Sequence, residues 1–275
     1  MEDHYQQENA ETVRVISRSV RGHRALLRLS DGNTPSLRRY FPAGEQDELR
    51  INGDSIQVFV RNDATWIEVG IPWEKQTKIN LGGISTKLTF KEIETDEEAE
   101  LFEELRKFHY RGGGGAGRTV PLIAKSDLWD MPSVLGFVEI ASSMIANTAR
   151  KRFLDFPYSE PEGISWRSWN RDVTKKYSNI ICRISRFVIH PEIRGLGLAK
   201  YFSAAAREYA AERWHYGGYR ARFLEITADM LRYYPFVDRS FFSMGETEGN
   251  EHRLAQDMTY LIKKARSADG AKGMP

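Results

Sequence analysis

Cysteine is nearly absent: Cys182 is the only one in 275 residues. An intrachain disulfide is therefore excluded, and a reducing compartment is the simplest expectation. No apolar run approaches the roughly 20 residues that a membrane-spanning helix needs. An excess of one charge is lacking too, since 40 Lys and Arg against 38 Asp and Glu leave a net +2. Bulk charge thus does not mark a nucleic-acid binder, and only the local distribution of charge can. Internal repeats are missing, as is a Walker A motif, which excludes a P-loop ATPase. The opening "MEDHYQQENAETV" is polar and acidic, unlike a signal peptide. These absences predict a soluble cytoplasmic protein without a membrane partner.

What is present is enough for a proper core: 41% of residues are hydrophobic and 28% charged, as in globular chains. From Thr12 to about Ile79 the pattern is one of short strands. "VRVISRSV" and "RALLRLS" are rich in branched residues, and Asp31-Gly32-Asn33 signals a turn. "SIQVFVRND" and "TWIEVGIPW" alternate apolar and polar residues. A small all-β domain over residues 1–82 is expected, with "NLGGIST" (Asn80 to Thr86) as its junction to a second domain over 83–275. Arg14, Arg18, Arg21, Arg24, Arg28, Arg38 and Arg39 make that first domain either a nucleic-acid surface, an oligomerisation module or an ordinary solvated face.

Beyond the junction the order becomes strand, helix, three strands, helix, strand, helix, a mixed α/β layered domain. "DEEAELFEELRKFHY" is an amphipathic helix with Ala99, Phe102 and Leu105 inward and acids in its first turn. "RGGGGAGR" (Arg111 to Arg118) is a loop, and "TVPLIAKS" and "VLGFVEIASSM" are strands. A long polar and aromatic segment runs from Asn147 to Ser178. "NIICRISRFVIHP" is a strong strand, and "LGLAKYFSAAAREYAAERWH" a helix with Leu198, Phe202, Ala206 and Tyr209 inward. "ARFLEITADM" is a strand, and "YYPFVDRSFFSMGE" is expected to open a short helix. Cys182, on a core strand, reads as a small buried hydrophobe.

The junction "FVIHPEIRGLGLAKYF" carries the strongest chemical signal. A tight turn from a buried strand into a helix leaves the first helical N–H groups unpaired and facing outward. Those donors and the helix dipole suit an anion. Gly195 and Gly197 let a phosphate approach the backbone, and Arg194 adds a charged fork. An ordinary strand-to-helix turn is the alternative. A second signal is His109-Tyr110 ahead of four glycines. His serves as a base near neutral pH or as a metal ligand. A helix C-cap is the bland reading, but one glycine suffices for a cap, and four favour a loop that a ligand approaches.

"IHPEIRGLGLAK" resembles motif A of the GNAT acyltransferases, with Arg194, Gly197 and Ala199 on its pattern. The resemblance covers about the last two thirds of the chain. It implies a GNAT-like domain and acetyl-CoA or another acyl-CoA, with the cofactor on Val188, Ile189, Ile193, Arg194, Gly195, Leu196, Gly197, Leu198 and Ala199. It further implies two strands splayed after Ile184 to admit the pantetheine arm.

"FHYRGGGGAGR", "ISRFVIHPEIRGLG" and "MLRYYPFVDRSFF" are similar to the Mom-like DNA-modification branch of that family and to the acetyltransferase-like domain fused to some ABC ATPases. Tyr234-Pro235-Phe236 departs from the Asn-Pro-Phe of that branch. This resemblance implies modification of an exocyclic amine of a nucleic-acid base, in DNA before tRNA. His109 and Tyr110 then stand at the reacting centre. His109 is also the candidate ligand of an iron or zinc ion.

Tyr233 or Tyr234 is the candidate acid for the leaving thiolate, with core packing as its alternative. Glu225 and Asp229 are candidate bases or metal ligands, or else simply hydrogen-bonded acids. Arg150, Lys151, Arg152, Trp166, Arg167, Trp169, Arg171 and Arg186 are the candidate nucleic-acid contacts. Basic groups hold phosphates and aromatic faces stack unpaired bases. A base must also leave its stack to be modified. An N-acetyltransferase for a protein or small molecule shares the cofactor site without the nucleic-acid contacts. A non-catalytic binding module on the same scaffold needs neither.

Overall fold

The computed structural model describes residues 11–109, 117–128, 130–144, 147–161, 163–247 and 250–256, with backbone alone at 148, 229, 232, 245–247 and 250–256. The molecule is mixed α/β, built on two sheets. Six antiparallel strands form the first, a curled sheet: β1 (Thr12–Arg21), β2 (Arg24–Leu29), β3 (Ser36–Arg38), β4 (Glu48–Asn52), β5 (Ser55–Val60) and β6 (Thr65–Glu68), in the order β3-β2-β1-β4-β5-β6. Strand alternation decides its inner face, where Val13, Val15, Leu27, Leu49, Val58 and Val60 pack together.

The change of sheet falls between Glu68 and Glu74, earlier than the expected junction. β7 (Glu74–Leu81) and β8 (Ile84–Glu92) pair as a hairpin in the second sheet, and Asn80–Thr86 holds its tight turn. The boundary placed at residue 82 thus cuts through a hairpin. Helix α1 (Asp96–Arg106) follows, begun by a capping box in which Thr95 and Glu98 satisfy each other's backbone N–H. Next come β9 (Thr119–Ser126) and β10 (Gly136–Ser142).

The segment expected to be an open aromatic loop has its own elements and core. Helix α2 (Thr148–Leu154), the ribbon β11 (Tyr158–Ser159) and β12 (Ser165–Trp166), and helix α3 (Arg171–Tyr177) enclose Leu154, Tyr158, Ile164, Trp166, Trp169 and Tyr177. Strand β13 (Ile181–Ile189), helix α4 (Ala199–Glu212), the ribbon β14 (His215–Tyr216) and β15 (Tyr219–Arg220), and β16 (Phe223–Ala228) complete the centre. The last hairpin is β17 (Phe241–Thr247) and β18 (Asn250–Gln256). A helix was expected around Phe241. The chain is instead extended there, because Phe241 and Phe242 alternate into the cores on opposite faces of the sheet.

The second sheet runs β17-β18-β16-β13-β10-β9-β8-β7, and its single parallel pair is β13 with β16. Helix α4 lies on one face, with Leu198, Phe202, Ala206 and Tyr209 buried as their spacing predicted. Helix α1 lies on the other, with Ala99, Phe102 and Leu105 against Ile123, Phe137 and Val188. No helix of the described residues is long and apolar enough to cross a membrane.

Polar side chains stitch the two sheets together. Arg38 donates to the Val69 and Gly70 carbonyls and to Glu92. Arg118 pairs with Asp47. Arg222 joins Asp63 to Glu160, and Trp73 Nε1 donates to Glu212 at 2.7 Å.

Candidate acyl-transfer site

At the end of β13 the chain turns through Pro191–Ile193, a single 3-10 turn in which proline takes the first position, where its missing N–H is not needed. Ile193 and Leu198 are buried and anchor the loop, whereas Arg194 to Gly197 are exposed. Gly195 (φ 86°) and Gly197 (φ 73°) occupy the left-handed region, and nothing lies within 4 Å of a Cβ built on either. Only glycine takes such φ values routinely, so the loop's shape is written in these two residues.

No side chain caps α4. The N–H groups of Gly195 to Lys200 find no acceptor among the described residues. Arg194 Nε donates back to the Ile189 carbonyl at 3.1 Å, which aims the rest of its guanidinium outward. These donors lie beside the positive end of the helix, and those of Gly195, Leu196 and Gly197 belong to exposed residues. Of the other residues assigned to this loop, Val188 is buried under α1, Ile189 packs on the α4 side, Leu196 is 48% exposed, and Ala199 opens the helix.

β13 and β16 pair only from Ile181↔Phe223 to Ile184↔Ile226. Past Ile184 the two strands part. β13 continues to Ile189 against β10 alone, and β16 to Ala228 against β18. A bulge marks the parting, since Glu139 faces Arg186 while Ile140 faces Ile184, leaving Ser185 unpaired in the register. Beyond Ile184 the edge of β13 on the β16 side is therefore not paired with that strand.

Phe187, just past the parting, packs against Phe202 and Phe236 at centroid distances of 5.5 and 5.4 Å. Tyr233 (77% exposed) and Tyr234 (62%) follow directly on the 3-10 turn Asp229–Arg232. Core packing is therefore not their role. The Asp229 side chain lies outside the described residues.

The α1 side of the same strands carries charge. Glu139 accepts from Arg186 Nη1 at 2.9 Å and from the Ser185 hydroxyl at 2.6 Å. Glu225 is gripped by Arg150, whose Nε donates to Oε2 at 2.9 Å and Nη2 to Oε1, and it also accepts from Ser143. Of the readings left open for Glu225, the hydrogen bonds accepted by both its oxygens match that of a hydrogen-bonded acid. Burial, reinforced by Glu225, pushes the Cys182 thiol well above its ordinary pKa, so this cysteine is inert.

His109 is half-buried just past the end of α1, where its N–H closes on the Arg106 carbonyl at 3.1 Å. Tyr110 and Gly112 to Gly115 lie outside the described residues. Among the described residues no three His, Cys, Asp or Glu side chains converge as a group that could hold a metal ion.

The expected nucleic-acid contacts divide. Arg150 (1% exposed) and Arg186 (8%) are ion-paired in the interior. Trp166 and Trp169 are core residues, with Trp166 stacked on Tyr158 and its Nε1 tied to the Leu154 carbonyl. Their faces are not available to bases. The segment is too aromatic to lie as an open loop, and it folds over its own rings instead. Lys151, Arg152, Arg167 and Arg171 remain exposed, as do Lys175 and Lys176. In the first sheet Arg14, Arg21, Arg24 and Arg28 are exposed, whereas Arg18, Arg38 and Arg39 donate to backbone carbonyls.

Glu139 and Arg183 drew no attention in the sequence. The signal that could have found them was charge inside two largely apolar strands, Glu139 in "GFVEIAS" and Arg183 with Arg186 in "IICRISRFVI". Two grooves on the described surface lie elsewhere, one beside His23 and the acids of α1, the other beside Val13 and Pro35. No protein-family model, curated protein or solved structure matches the chain.

Proposed function

We propose that this chain is an acyl-CoA-dependent N-acyltransferase of GNAT-like fold whose acceptor is the exocyclic amine of a nucleic-acid base. One observation carries the reading: the parallel strands β13 and β16 part after Ile184, directly ahead of an uncapped, glycine-shaped anion loop. The residues fit the group. A pyrophosphate needs converging N–H donors and a cation, and Gly195 to Lys200 with Arg194 supply them. A pantetheine arm needs unpaired strand edge to bond along, and β13 beyond Ile184 offers it. Bound there, an acyl-CoA supplies an activated thioester carbonyl.

The remaining chemistry belongs to this chain. A backbone N–H on the free β13 edge is placed to hydrogen-bond the carbonyl oxygen as charge builds on it. His109 takes the proton of the attacking amine, and Tyr233 or Tyr234 returns one to the departing sulfur. The exposed cations from Lys151 to Lys176 support a polyanionic acceptor through its phosphates. Base stacking on Trp166 and Trp169 has no part in this reading.

The test is nucleoside mass spectrometry on DNA and tRNA from cells making the wild type, Arg194→Ala or His109→Ala. A heavier nucleoside in the wild type alone is expected, its mass giving the acyl group. Unchanged nucleosides from a protein that still binds acetyl-CoA would move the acceptor to a protein or small amine. Failure to bind acetyl-CoA would remove the acyltransferase reading altogether and leave a binding module.

A further inference from the structure

Five charged side chains meet on the α1 side of β10, β13 and β16: Arg150, Arg183, Arg186, Glu139 and Glu225. Each carboxylate is taken by one arginine, Glu139 by Arg186 and Glu225 by Arg150. Three guanidiniums against two carboxylates leave one positive charge over, and it falls on Arg183. Arg183 is half-buried and faces Glu225 across the parallel pair. Its Nε donates to the Ser142 carbonyl at 3.1 Å. Its two terminal nitrogens have no partner among the described residues. It stands two residues before the bulge at Ser185, where the strands begin to part.

A half-buried guanidinium whose neighbouring carboxylates are each already held by another arginine is only partly compensated. Burial lowers the Arg183 pKa. Glu225 and Glu139 oppose that, and Arg150 and Arg186 add to it. The ion pairs on either side fix the neighbouring carboxylates, so neither is free to swing across and neutralise Arg183. One of the five donors of the fork, Nε–H, is spent on Ser142 and sets its orientation, and the two terminal nitrogens are left to grip an oxyanion side by side.

We infer that Arg183 is the anchor for a phosphate of the acceptor, gripped by its two free nitrogens beside the point where β13 and β16 part. The inference rests on the acyl-transfer reading for the identity of the acceptor, and on the charge cluster alone for the anion site. It narrows the acceptor to a molecule carrying an oxyanion close to the amine it offers, as a nucleotide does. A neutral amine acceptor has no use for this residue.

The test is calorimetric titration of inorganic phosphate into the full chain carrying Arg194→Ala, so that the loop before α4 does not compete. Acetate is titrated in parallel. Phosphate is expected to bind, and adding Arg183→Gln to weaken it at least about tenfold. Equal phosphate affinity with and without Arg183→Gln, or no phosphate binding at all, overturns the inference. Acetate binding more tightly than phosphate overturns the choice of phosphate in favour of a carboxylate.

A merely structural arginine predicts a lower melting temperature for Arg183→Gln, whereas relief of a half-buried, incompletely compensated charge predicts an unchanged or higher one. Should that variant not fold, Arg183→Lys keeps the charge and loses the fork. It is expected to weaken phosphate about fivefold or more at unchanged melting temperature, and unaltered binding would again overturn the inference. Acetyl-CoA titrated into the Arg183→Gln chain keeps the two readings apart. Binding as tight as in the wild type leaves the acyl-transfer reading standing whatever phosphate does. No binding in the wild type removes that reading and leaves the phosphate result to stand or fall by itself.

Discussion

Arg194 and Arg150 show how differently the same residue type is used within one chain. Arg194 is exposed and makes one backbone contact, so its removal costs the fold little. A charge-assisted bond to phosphate contributes about 1.5–3 kcal/mol. Arg194→Ala should therefore weaken acetyl-CoA binding about 10- to 100-fold at an unchanged melting temperature, as calorimetry and a thermal melt will show. For Tyr233 and Tyr234 the side chains are free in solvent, and only one is needed as an acid. Phenylalanine at that one should lower kcat about 100-fold, with acetyl-CoA affinity kept, and at the other should do nothing. If both variants keep full kcat, the leaving group takes its proton from another source. His109→Ala should bind acetyl-CoA normally and fail to turn over; a retained kcat would remove His109 from the reaction.

At the scale of elements, Arg150 on α2 and Glu225 on β16 tie the aromatic lobe to the central sheet. The pair is nearly fully buried, and Arg150 also donates to the Met144 carbonyl at 2.6 Å. Breaking a buried pair strands the partner charge and costs about 3–5 kcal/mol. Glu225→Ala should lose about that much in a denaturant titration, whereas Lys151→Ala, one residue along on the exposed face, should change almost nothing. Helix α4 and the loop before it were legible because their residues carry their own signals. The apolar spacing of Leu198, Phe202, Ala206 and Tyr209 gives the helix, and Gly195 and Gly197 give the turn. The aromatic lobe was not legible in this way. Phe153, Trp166 and Trp169 in a polar context suit a stacking surface and a small core equally well. Only their mutual packing separates the two.

For the whole molecule, the seam between the sheets is where pH should act. Burial by itself would raise the Asp47 pKa, but Arg118, the His215 ring and the Gly44 N–H more than reverse this and hold it well below the usual carboxylate range. A carboxylate with a depressed folded pKa contributes stability above its unfolded pKa of about 4 and loses it as the pH falls further. Wild type should thus exceed Asp47→Asn in unfolding free energy at pH 7. The gap should narrow steadily below about pH 4. A gap independent of pH across that range would mean that Asp47 acts by packing and not by charge. The seam has further ties in Arg38–Glu92 and Asp63–Arg222. Its loss is therefore expected as one cooperative transition and not as the melting of one sheet at a time.

The sequence by itself determined whatever depends on neighbours along the chain. That covers the alternating strands of the first sheet, the capping box of α1, the inward faces of α1 and α4, and a glycine-shaped loop that presents N–H donors. Tertiary structure alone decided what depends on residues far apart in sequence. Asn80 to Thr86 looks like a linker because glycines serve linkers and hairpins alike, and only the pairing of β7 with β8 makes it a turn. Arg186 and Arg150 look like surface cations until Glu139 and Glu225, 47 and 75 residues away, claim them. Arg183 looks no different from them in the chain. It stays unpaired because the fold brings three arginines and only two carboxylates to one face of the sheet, and a charge balance of that kind is a property of space and not of sequence order.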